Sequence, residues 1–511
     1  MQTKYSGTIL TASILLLFGL FLAVRSDGLF EHCLWFDEIY SSHAASMHLS
    51  DMFPFIAKDL VHPPLFYFLL NLWISVFGSS IESLRLFPFS ISIVALIPAY
   101  LLLRQLKVGS TAVVGGLLFV AANGILIKYA QEVRMYALVV GLSFASTLLF
   151  HRFFRMGKGI IALTIINGLL LMTHYYGAVL IIAQLLAIVT WQRIKLRPIV
   201  GSAAVATLSI VPWLVYVLGI DRGGDGGLKE NIGWIPFPGL FVVINSFLDF
   251  TEPIYFDMST AELPTNPLIS IPMLALIAVS VFLGIRKGGA NDLKNGEGLF
   301  PELGVFVFGL IISFTLSLIL PYSVWGTRHL LVLFGPFLAL FAVAISEKVY
   351  GELKAIPIAT LSAIVLMAIG FGFLQPRENR YLWCAWERFA VYLKDRPNGD
   401  APIYFADDLA AYHFWYFSNN DSNRKIVLVK NDSFSPSDEA YFLPRGFSGV
   451  QRQENLDYSK PFLFAFTAKT WDVDSETLNE LRKGGCDPQV LEVFEANGRK
   501  AFLVRCDQEG V

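Results

Sequence analysis

Pro64-Leu65-Phe66-Tyr67-Phe68-Leu69-Leu70-Asn71-Leu72-Trp73-Ile74-Ser75-Val76-Phe77-Gly78 is the run on which the topology of this chain turns. It is apolar enough to enter a membrane, yet its 15 residues cover only about 22 Å as a helix, against a hydrocarbon core of about 30 Å. Tyr67, Asn71 and Ser75 recur every four residues as a thin polar stripe, while Phe66, Leu70, Trp73 and Phe77 cover the remainder. That pattern predicts a helix lying along the interface, with its apolar side in the acyl chains. The stretch from Ala44 to Leu60, broken by Pro54, reads the same way. Arg25 to Glu82 then form a single outer loop that contains interfacial helices.

Composition sets the class. Of 511 residues 55% are hydrophobic and 16% charged, and the mean hydropathy is +0.56. A soluble domain carries roughly 25% charged residues, so the chain reads as a polytopic membrane protein. A net charge of -2 and the lack of a basic tail give no footprint for nucleic acid. Eleven segments have the length and apolarity of a spanning helix, near 6–24, 84–103, 111–128, 136–151, 160–176, 178–191, 199–218, 267–286, 303–321, 329–346 and 355–374. The first lacks a cleavage site and reads as an uncleaved span.

Basic residues follow the even-numbered spans: Arg104 and Lys107; Arg152, Arg155 and Lys158; Arg193, Lys195 and Arg197; Arg286, Lys287 and Lys294; Lys348 and Lys354. The positive-inside rule places those loops in the cytoplasm. The N-terminus with Lys4 is then cytoplasmic, and everything after the eleventh span lies outside the cell (inner or plasma) membrane. Gly223-Gly224-Asp225-Gly226-Gly227 marks an outer loop that reads equally well as a gate or a plain connector.

Residues 1–374 form the transmembrane part, and from 375 to 511 the composition is that of a soluble, extracytoplasmic domain. Pro402–Ala406, Lys425–Val429, Pro461–Phe466 and Lys500–Val504 read as strands, with helices over Asp408–Phe417 and Glu476–Lys483. This predicts a small α/β domain. Cys486 and Cys506 both lie in it, and spacing leaves their pairing open.

The uncommon polar residues gather on one side. Asp37, Glu38, Asp59 and His62 are in the first outer loop. Gln131-Glu132-Val133-Arg134-Met135-Tyr136, Thr173-His174-Tyr175-Tyr176-Gly177 and Thr327-Arg328-His329 open or close spans at the outer face. Singly each has a bland reading, as loop charge, a surface ion pair, an interfacial belt residue or a snorkelling cation. Jointly they mark a substrate pathway, since ionisable groups at membrane depth are costly. A carboxylate there can take a proton from a hydroxyl as its oxygen attacks an anomeric carbon. A departing lipid phosphate needs cations or a metal around it, and Arg134, Arg328 and His62 are the cations at hand. Paired acids can also hold a divalent cation, Mg or Mn, and the residues leave the choice open.

At these residues the chain resembles the membrane-embedded GT-C glycosyltransferases, in the bacterial branch related to protein O-mannosyltransferases and lipid A aminoarabinose transferases. Trp35-Phe36-Asp37-Glu38 is similar to the Asp-Glu motif of their first outer loop. His62-Pro63-Pro64-Leu65-Phe66-Tyr67 resembles their His-Pro-Pro-Leu-Tyr-Tyr, with Phe66 in place of Tyr. Gln131–Leu138 and Thr173–Gly177 resemble two further patterns, and Arg328-His329-Leu330 resembles Arg-Tyr-Leu, with His in place of Tyr. The resemblance implies an inverting transferase with a polyprenyl-phosphate-linked sugar as donor and Asp37 as base. It implies that Glu38, Asp59, His62, Glu132, Arg134 and Arg328 shape the donor phosphate or metal environment. Tyr67, Tyr136, His174, Tyr175 and His329 would line the substrate cavity. The acceptor, whether glycan, lipid or protein, and the sugar are not implied. The aminoarabinose transferases carry Lys where this chain has His62, an exchange that matters because an unshifted His is mostly neutral near pH 7. A transporter or flippase of lipid-linked saccharides is the reading from another class, but no internal repeat supports it. A polysaccharide polymerase or ligase is chemically closer.

Overall fold

The computed structural model describes residues 2–221, 233, 235–254, 266–288, 300–374, 381–394, 401–418, 424–429, 443–469, 476–496 and 498–508. By contacts these divide into two compact units. One holds the described residues of Met1–Leu29, Leu60–Ile220 and Ile232–Pro376; the other holds chiefly those of Phe30–Asp59 and Arg377–Val511. The protein is a multi-pass α-helical membrane protein with a small C-terminal sheet.

The first unit opens with α1 (Gln2–Ser26). The helices α2 (Phe36–Ser46) and α3 (Leu49–Asp59) follow and belong to the second unit. The first unit resumes with α4 (Leu65–Phe77), α5 (Ile81–Gln105), α6 (Ser110–Ala122), α7 (Gly124–Gln131), α8 (Tyr136–Met156), α9 (Ile160–Thr173) and α10 (Gly177–Trp191). It continues through α11 (Leu196–Gly219), α12 (Leu240–Thr251), α13 (Pro267–Lys287) and α14 (Phe300–Ile319). The short α15 (Thr327–Leu330) passes through a 3-10 turn into α16 (Phe334–Ala344), followed by α17 (Glu347–Tyr350) and α18 (Ala355–Leu374). Among the described residues eight helical runs are long and apolar enough to cross a membrane: α1, α5, α8, α11, α13, α14, the run from α15 past α17, and α18.

All eleven expected spans are helical, with three differences of detail. The segments α6 and α9 hold only 13 and 14 residues, while the 15 residues of α10 match the short range expected for it. The span expected over 111–128 is not continuous, because it breaks at Asn123 and restarts as α7. The apolar helix α12 has no counterpart in the sequence reading, since its 12 residues with Asn245 and Asp249 fall below a spanning window. The run after Pro64 forms the 13-residue α4, shorter than a span. Pro54 does not break its helix. It sits inside α3, and the chain breaks earlier, at Met47 and His48.

The break at Asn123 has a clear physical account. A helix that stops leaves its last carbonyls without partners, at a cost of about 1–3 kcal/mol each when buried. Arg25, only 1% exposed, donates from Nη1 to the Ala121 carbonyl at 2.8 Å. Its Nη2 donates to the Val120 carbonyl at 2.9 Å, and its guanidinium lies on the Phe21 ring. The Ile254 N–H reaches the Ala122 carbonyl, which holds this β-branched residue at φ +64°, a strained backbone conformation. The Asn123 side chain then accepts from Leu126 N–H at 3.1 Å and starts α7 as its N-cap. The far end of α7 is tied back, as Gln131 Nε2 donates to the carbonyls of Arg25 and Asp27. Arg85 in turn donates to the Gln131 carbonyl at 2.7 Å.

Two further polar joints hold the helices. Ser146, Asn167 and Gln184, on α8, α9 and α10, close a ring of hydrogen bonds at 2.6, 3.1 and 2.8 Å. All three are buried, and a fully satisfied ring avoids the cost of lone polar groups in an apolar interior. At Gly335 the start of α16 presses on α8 so closely that an added Cβ would lie 2.4 Å from the Ser143 carbonyl oxygen.

The second unit is built on a mixed sheet ordered β3-β2-β1-β4-β6-β5. Its strands are β1 (Ile403–Phe405), β2 (Ile426–Val429), β3 (Gln451–Gln453), β4 (Phe462–Lys469), β5 (Cys486–Ala496) and β6 (Arg499–Gln508). Strands β3, β2, β1 and β4 run parallel, and β6 and β5 add an antiparallel edge. Four of these strands, and the helices Asp408–Ser418 and Glu476–Lys483, answer to the expected elements. The strands β3 and β5 and the helix Cys384–Lys394 do not. Strand β5 begins Cys486-Asp487-Pro488, a proline tolerated because it lies on a sheet edge.

A division drawn by composition at 374/375 leaves Phe30–Asp59 with the transmembrane part, whereas by contacts these residues group with the C-terminal ones. Cys33 and Cys384 form a disulfide, with Cα atoms 5.6 Å apart. Ser42 meets the Tyr416 hydroxyl at 2.6 Å, and His43 Nδ1 meets the Tyr412 hydroxyl at 2.8 Å. Arg445 donates to the Lys58 carbonyl at 2.8 Å. Burial pushes the His43 imidazole down to about 4, so it is neutral in this aromatic setting. The second disulfide joins Cys486 to Cys506 across β5 and β6, with Cα atoms 5.3 Å apart.

Two tests follow from these joints. Peptide mapping under non-reducing conditions should recover Cys33–Cys384 and Cys486–Cys506 as the linked pairs, and any crossed pairing contradicts the fold. Arg25→Leu should cost about 2–4 kcal/mol by orphaning two buried carbonyls, read as a lowered Tm in detergent. Arg104→Leu, which removes an exposed cation, should leave Tm little changed.

Candidate active site

Four loops of the first unit bring their polar residues to one place. The first is the Leu60-Val61-His62-Pro63-Pro64 entry to α4. Leu60 holds φ +68°, and Pro64 at φ -83° caps the helix, so its ring sets the turn that buries His62. The second is the Glu132-Val133-Arg134 corner between α7 and α8. Its Arg134 N–H bonds the Glu132 carbonyl at 2.7 Å, and Gln131 anchors it as described above. The third is His174-Tyr175-Tyr176 between α9 and α10, and the fourth is Thr327-Arg328-His329 in α15. Helices α4, α8, α10 and α15 begin here and α7 and α9 end here. The helix ends assigned to one face from the basic loops therefore do come together.

At the centre are three imidazoles. His62 and His174 lie with ring centroids 5.6 Å apart, and His174 and His329 5.7 Å apart. Tyr176 packs on His329 at 5.5 Å and Tyr136 lies 6.4 Å from His174. Arg134 reaches across, with Nη2 3.4 Å from His62 Nε2 and Nη1 3.5 Å from the Tyr67 hydroxyl. His62, Glu132, Arg134, His174 and Arg328 are each less than 10% exposed. Burial, then the Arg134 cation, the other two imidazoles and Arg328, hold the His62 imidazole well below its usual range. His62 Nδ1, His174 Nε2 and the Thr327 hydroxyl are buried with no hydrogen-bond partner among the described residues. The Tyr175 hydroxyl accepts from Trp213 Nε1 at 2.9 Å, which ties this corner to α11.

Of the expected site residues, Tyr67, His62, Glu132, Arg134, Tyr136, His174, Tyr175, Arg328 and His329 are in the first unit. Asp37, Glu38 and Asp59 are in the second. Asp37 stands half-buried in the first turn of α2, its backbone carbonyl accepting from the Ser41 hydroxyl at 2.9 Å. Glu38 is fully buried, and its Oε2 accepts from the Trp35 N–H at 3.1 Å, one turn back. That contact closes the start of the helix and gives Glu38 a local structural task. Asp59 ends α3, and its backbone carbonyl accepts from Arg445 at 3.2 Å.

The imidazole cluster does not fit a metal ion. Among the described residues no three His, Cys, Asp or Glu side chains are grouped to hold a metal ion, and the three imidazoles have guanidiniums for neighbours, which repel a cation. Tyr176, Thr327 and Gln131 lie in stretches that the sequence singled out, but without a role of their own, and the supporting Arg25 and Arg85 were missed. The signal for Arg85 was an arginine one turn into an apolar run, since such a charge needs a partner.

The pattern of the dolichyl-phosphate-mannose-protein mannosyltransferases matches residues 61–216. That range takes in His62, Glu132, Arg134 and His174, and it excludes Asp37 and Arg328. Among curated proteins none matches the chain in sequence. Among solved structures, ArnT from Cupriavidus metallidurans in the apo state superposes with a TM-score of 0.61 at 13% identity, over 97% of this chain and 98% of that one. The same protein bound to undecaprenyl phosphate superposes with a TM-score of 0.59, also at 13% identity and with the same coverage. The chain therefore shares the fold of ArnT over nearly its whole length, and the mannosyltransferase pattern matches the segment that supplies His62, Arg134 and His174 of the cluster.

Proposed function

We propose that this protein is a membrane glycosyltransferase that moves a sugar, with inversion, from a polyprenyl-phosphate-linked donor to an acceptor hydroxyl on a glycan, lipid or protein. The observation that carries the reading is the cluster of buried Arg134, His62, His174 and Arg328 with half-buried His329, where several helix ends meet. Such a group receives a phosphate whose charge grows as the sugar leaves. The fold shared with a protein crystallised with undecaprenyl phosphate supports a lipid-phosphate donor.

In this reading Asp37 is the base. It takes the acceptor hydroxyl's proton as that oxygen bonds to the anomeric carbon. The bond from that carbon to the phosphate oxygen breaks on the opposite face, and the lipid phosphate leaves with one more negative charge. Arg134, Arg328 and His62 meet that charge. Glu132 and Tyr67 position Arg134, and Tyr136, Tyr175 and His329 close the walls. No step is routed through a metal.

Asp37→Asn should lower transfer by about 10²- to 10⁴-fold while donor binding stays within a few-fold of wild type. Retained transfer removes Asp37 as the base. Failure of wild type with every lipid-phosphate sugar favours the transporter reading instead.

The proposed orientation puts the N-terminus in the cytoplasm and the site at the outer face of the cell membrane. All four cysteines are in disulfides, so a single introduced thiol reports alone. Ser79→Cys and Asp221→Cys should react with an impermeant maleimide on intact cells whose outer membrane, where present, is opened. Lys107→Cys and Lys158→Cys should react only after the membrane enclosing the cytoplasm is opened. The reverse pattern overturns the orientation.

A further inference from the structure

The unpartnered ring nitrogens of His62 and His174 carry an inference about how the site meets phosphate, and it rests on the glycosyltransferase reading above. His62 Nε2 faces Arg134 Nη2 at 3.4 Å. A guanidinium can only donate, so this nitrogen is the acceptor. His174 Nδ1 faces the Tyr176 backbone N–H at 3.1 Å, and this donor also leaves it only the acceptor role. Each ring therefore carries its proton on the opposite nitrogen, Nδ1 in His62 and Nε2 in His174. Both of those atoms are buried with no hydrogen-bond partner among the described residues. A buried N–H left unmade costs about 1–3 kcal/mol, which an arriving oxyanion would recover.

We propose that His62 and His174 bind the departing phosphate as neutral N–H donors, each locked in one tautomer by a fixed donor on its other nitrogen, and not as imidazolium cations. Protonating either ring would set an N–H against the N–H that now feeds it. The charged and titratable groups facing His62 are Arg134, Arg328, His174 and His329, with the Tyr67 hydroxyl beside Arg134. Positive charge on His62 is opposed from every side, and burial together with those cations depresses its protonation further. The guanidiniums supply the charge, and the two imidazoles supply direction.

The test uses side chains that keep one N–H and cannot titrate. The amide nitrogen of Asn stands near the place of His Nδ1, and that of Gln near His Nε2. His62→Asn and His174→Gln should keep transfer within about tenfold of wild type, whereas His62→Leu and His174→Leu should lose about 10²- to 10³-fold. Wild type and the amide variants should share one pH profile from about pH 5.5 to 8, across the ordinary imidazole range. Amide variants as inactive as the Leu variants, or a limb in that range that only wild type shows, overturn the proposal. A second measurement does not depend on variants folding. Imidazole ¹⁵N shifts of wild type with undecaprenyl phosphate at about pH 6 should show neutral rings protonated at Nδ1 of His62 and Nε2 of His174. Imidazolium shifts there overturn it. If wild type neither binds undecaprenyl phosphate nor uses any lipid-phosphate sugar, the donor reading itself fails. If wild type transfers sugar but the amide variants or the shifts disagree, only the tautomer proposal fails.

Discussion

The end of α6 at Ala122 is the constraint on which the first unit depends. A helix that stops inside an apolar layer exposes carbonyls that no water can reach, and the fold must bring donors to them. Arg25 supplies two and Ile254 a third. The negative end of the α6 dipole also offsets the buried guanidinium charge, which would otherwise demand a carboxylate. The end of α1 is thus fastened to the end of α6, and the strained φ of Ile254 is the cost of the third bond. Because the same corner of α1 receives Gln131 through the Arg25 and Asp27 carbonyls, α7 is pinned at both its ends.

That pinning matters for what comes next in the chain. Gln131 is followed by Glu132, Val133 and Arg134, so backbone hydrogen bonds fix where the Arg134 stem begins, and the Tyr67 hydroxyl and His62 Nε2 meet its guanidinium at the far end. Arg85 fixes the Gln131 carbonyl from a third helix. An arginine that meets a phosphate works best when its geometry is settled before the ligand arrives. The Ser146-Asn167-Gln184 ring does the same for His174, since it joins α8, α9 and α10 within a few turns of the loop that carries this imidazole.

Much of this was legible in the residues. Length and apolarity located every long span, and the basic loops sorted helix ends so that His62, Arg134, His174 and Arg328 fell on one side. What was not legible depends on partners far apart in sequence. Nothing local distinguishes Asn123 as a break, because its cause is an arginine 98 residues earlier and an N–H from Ile254. The Cys33–Cys384 bridge spans 351 residues, beyond any spacing rule, and the grouping of Phe30–Asp59 with the sheet unit went unseen with it. Strand β5 was missed because its alternation is interrupted by Pro488 and a bulge between Val490 and Glu492. Glu38 looked like half of an acid pair, and only the Trp35 contact reveals its capping task.

The charge balance of the cluster follows from its burial. Two full charges at the 5.6 Å separation of His62 and His174 would repel by about 3 kcal/mol at an effective dielectric of 20. Arg134 and Arg328 already contribute two cations that cannot lose their protons. A third and a fourth positive charge would have to be desolvated before any phosphate arrived to neutralise them. Imidazoles locked as neutral donors, as proposed above, avoid that cost and still offer directed N–H groups when a phosphate becomes more negative. In the proposed state His62 and His174 add no positive charge to that of the two arginines, which lowers the cost of burying these groups side by side.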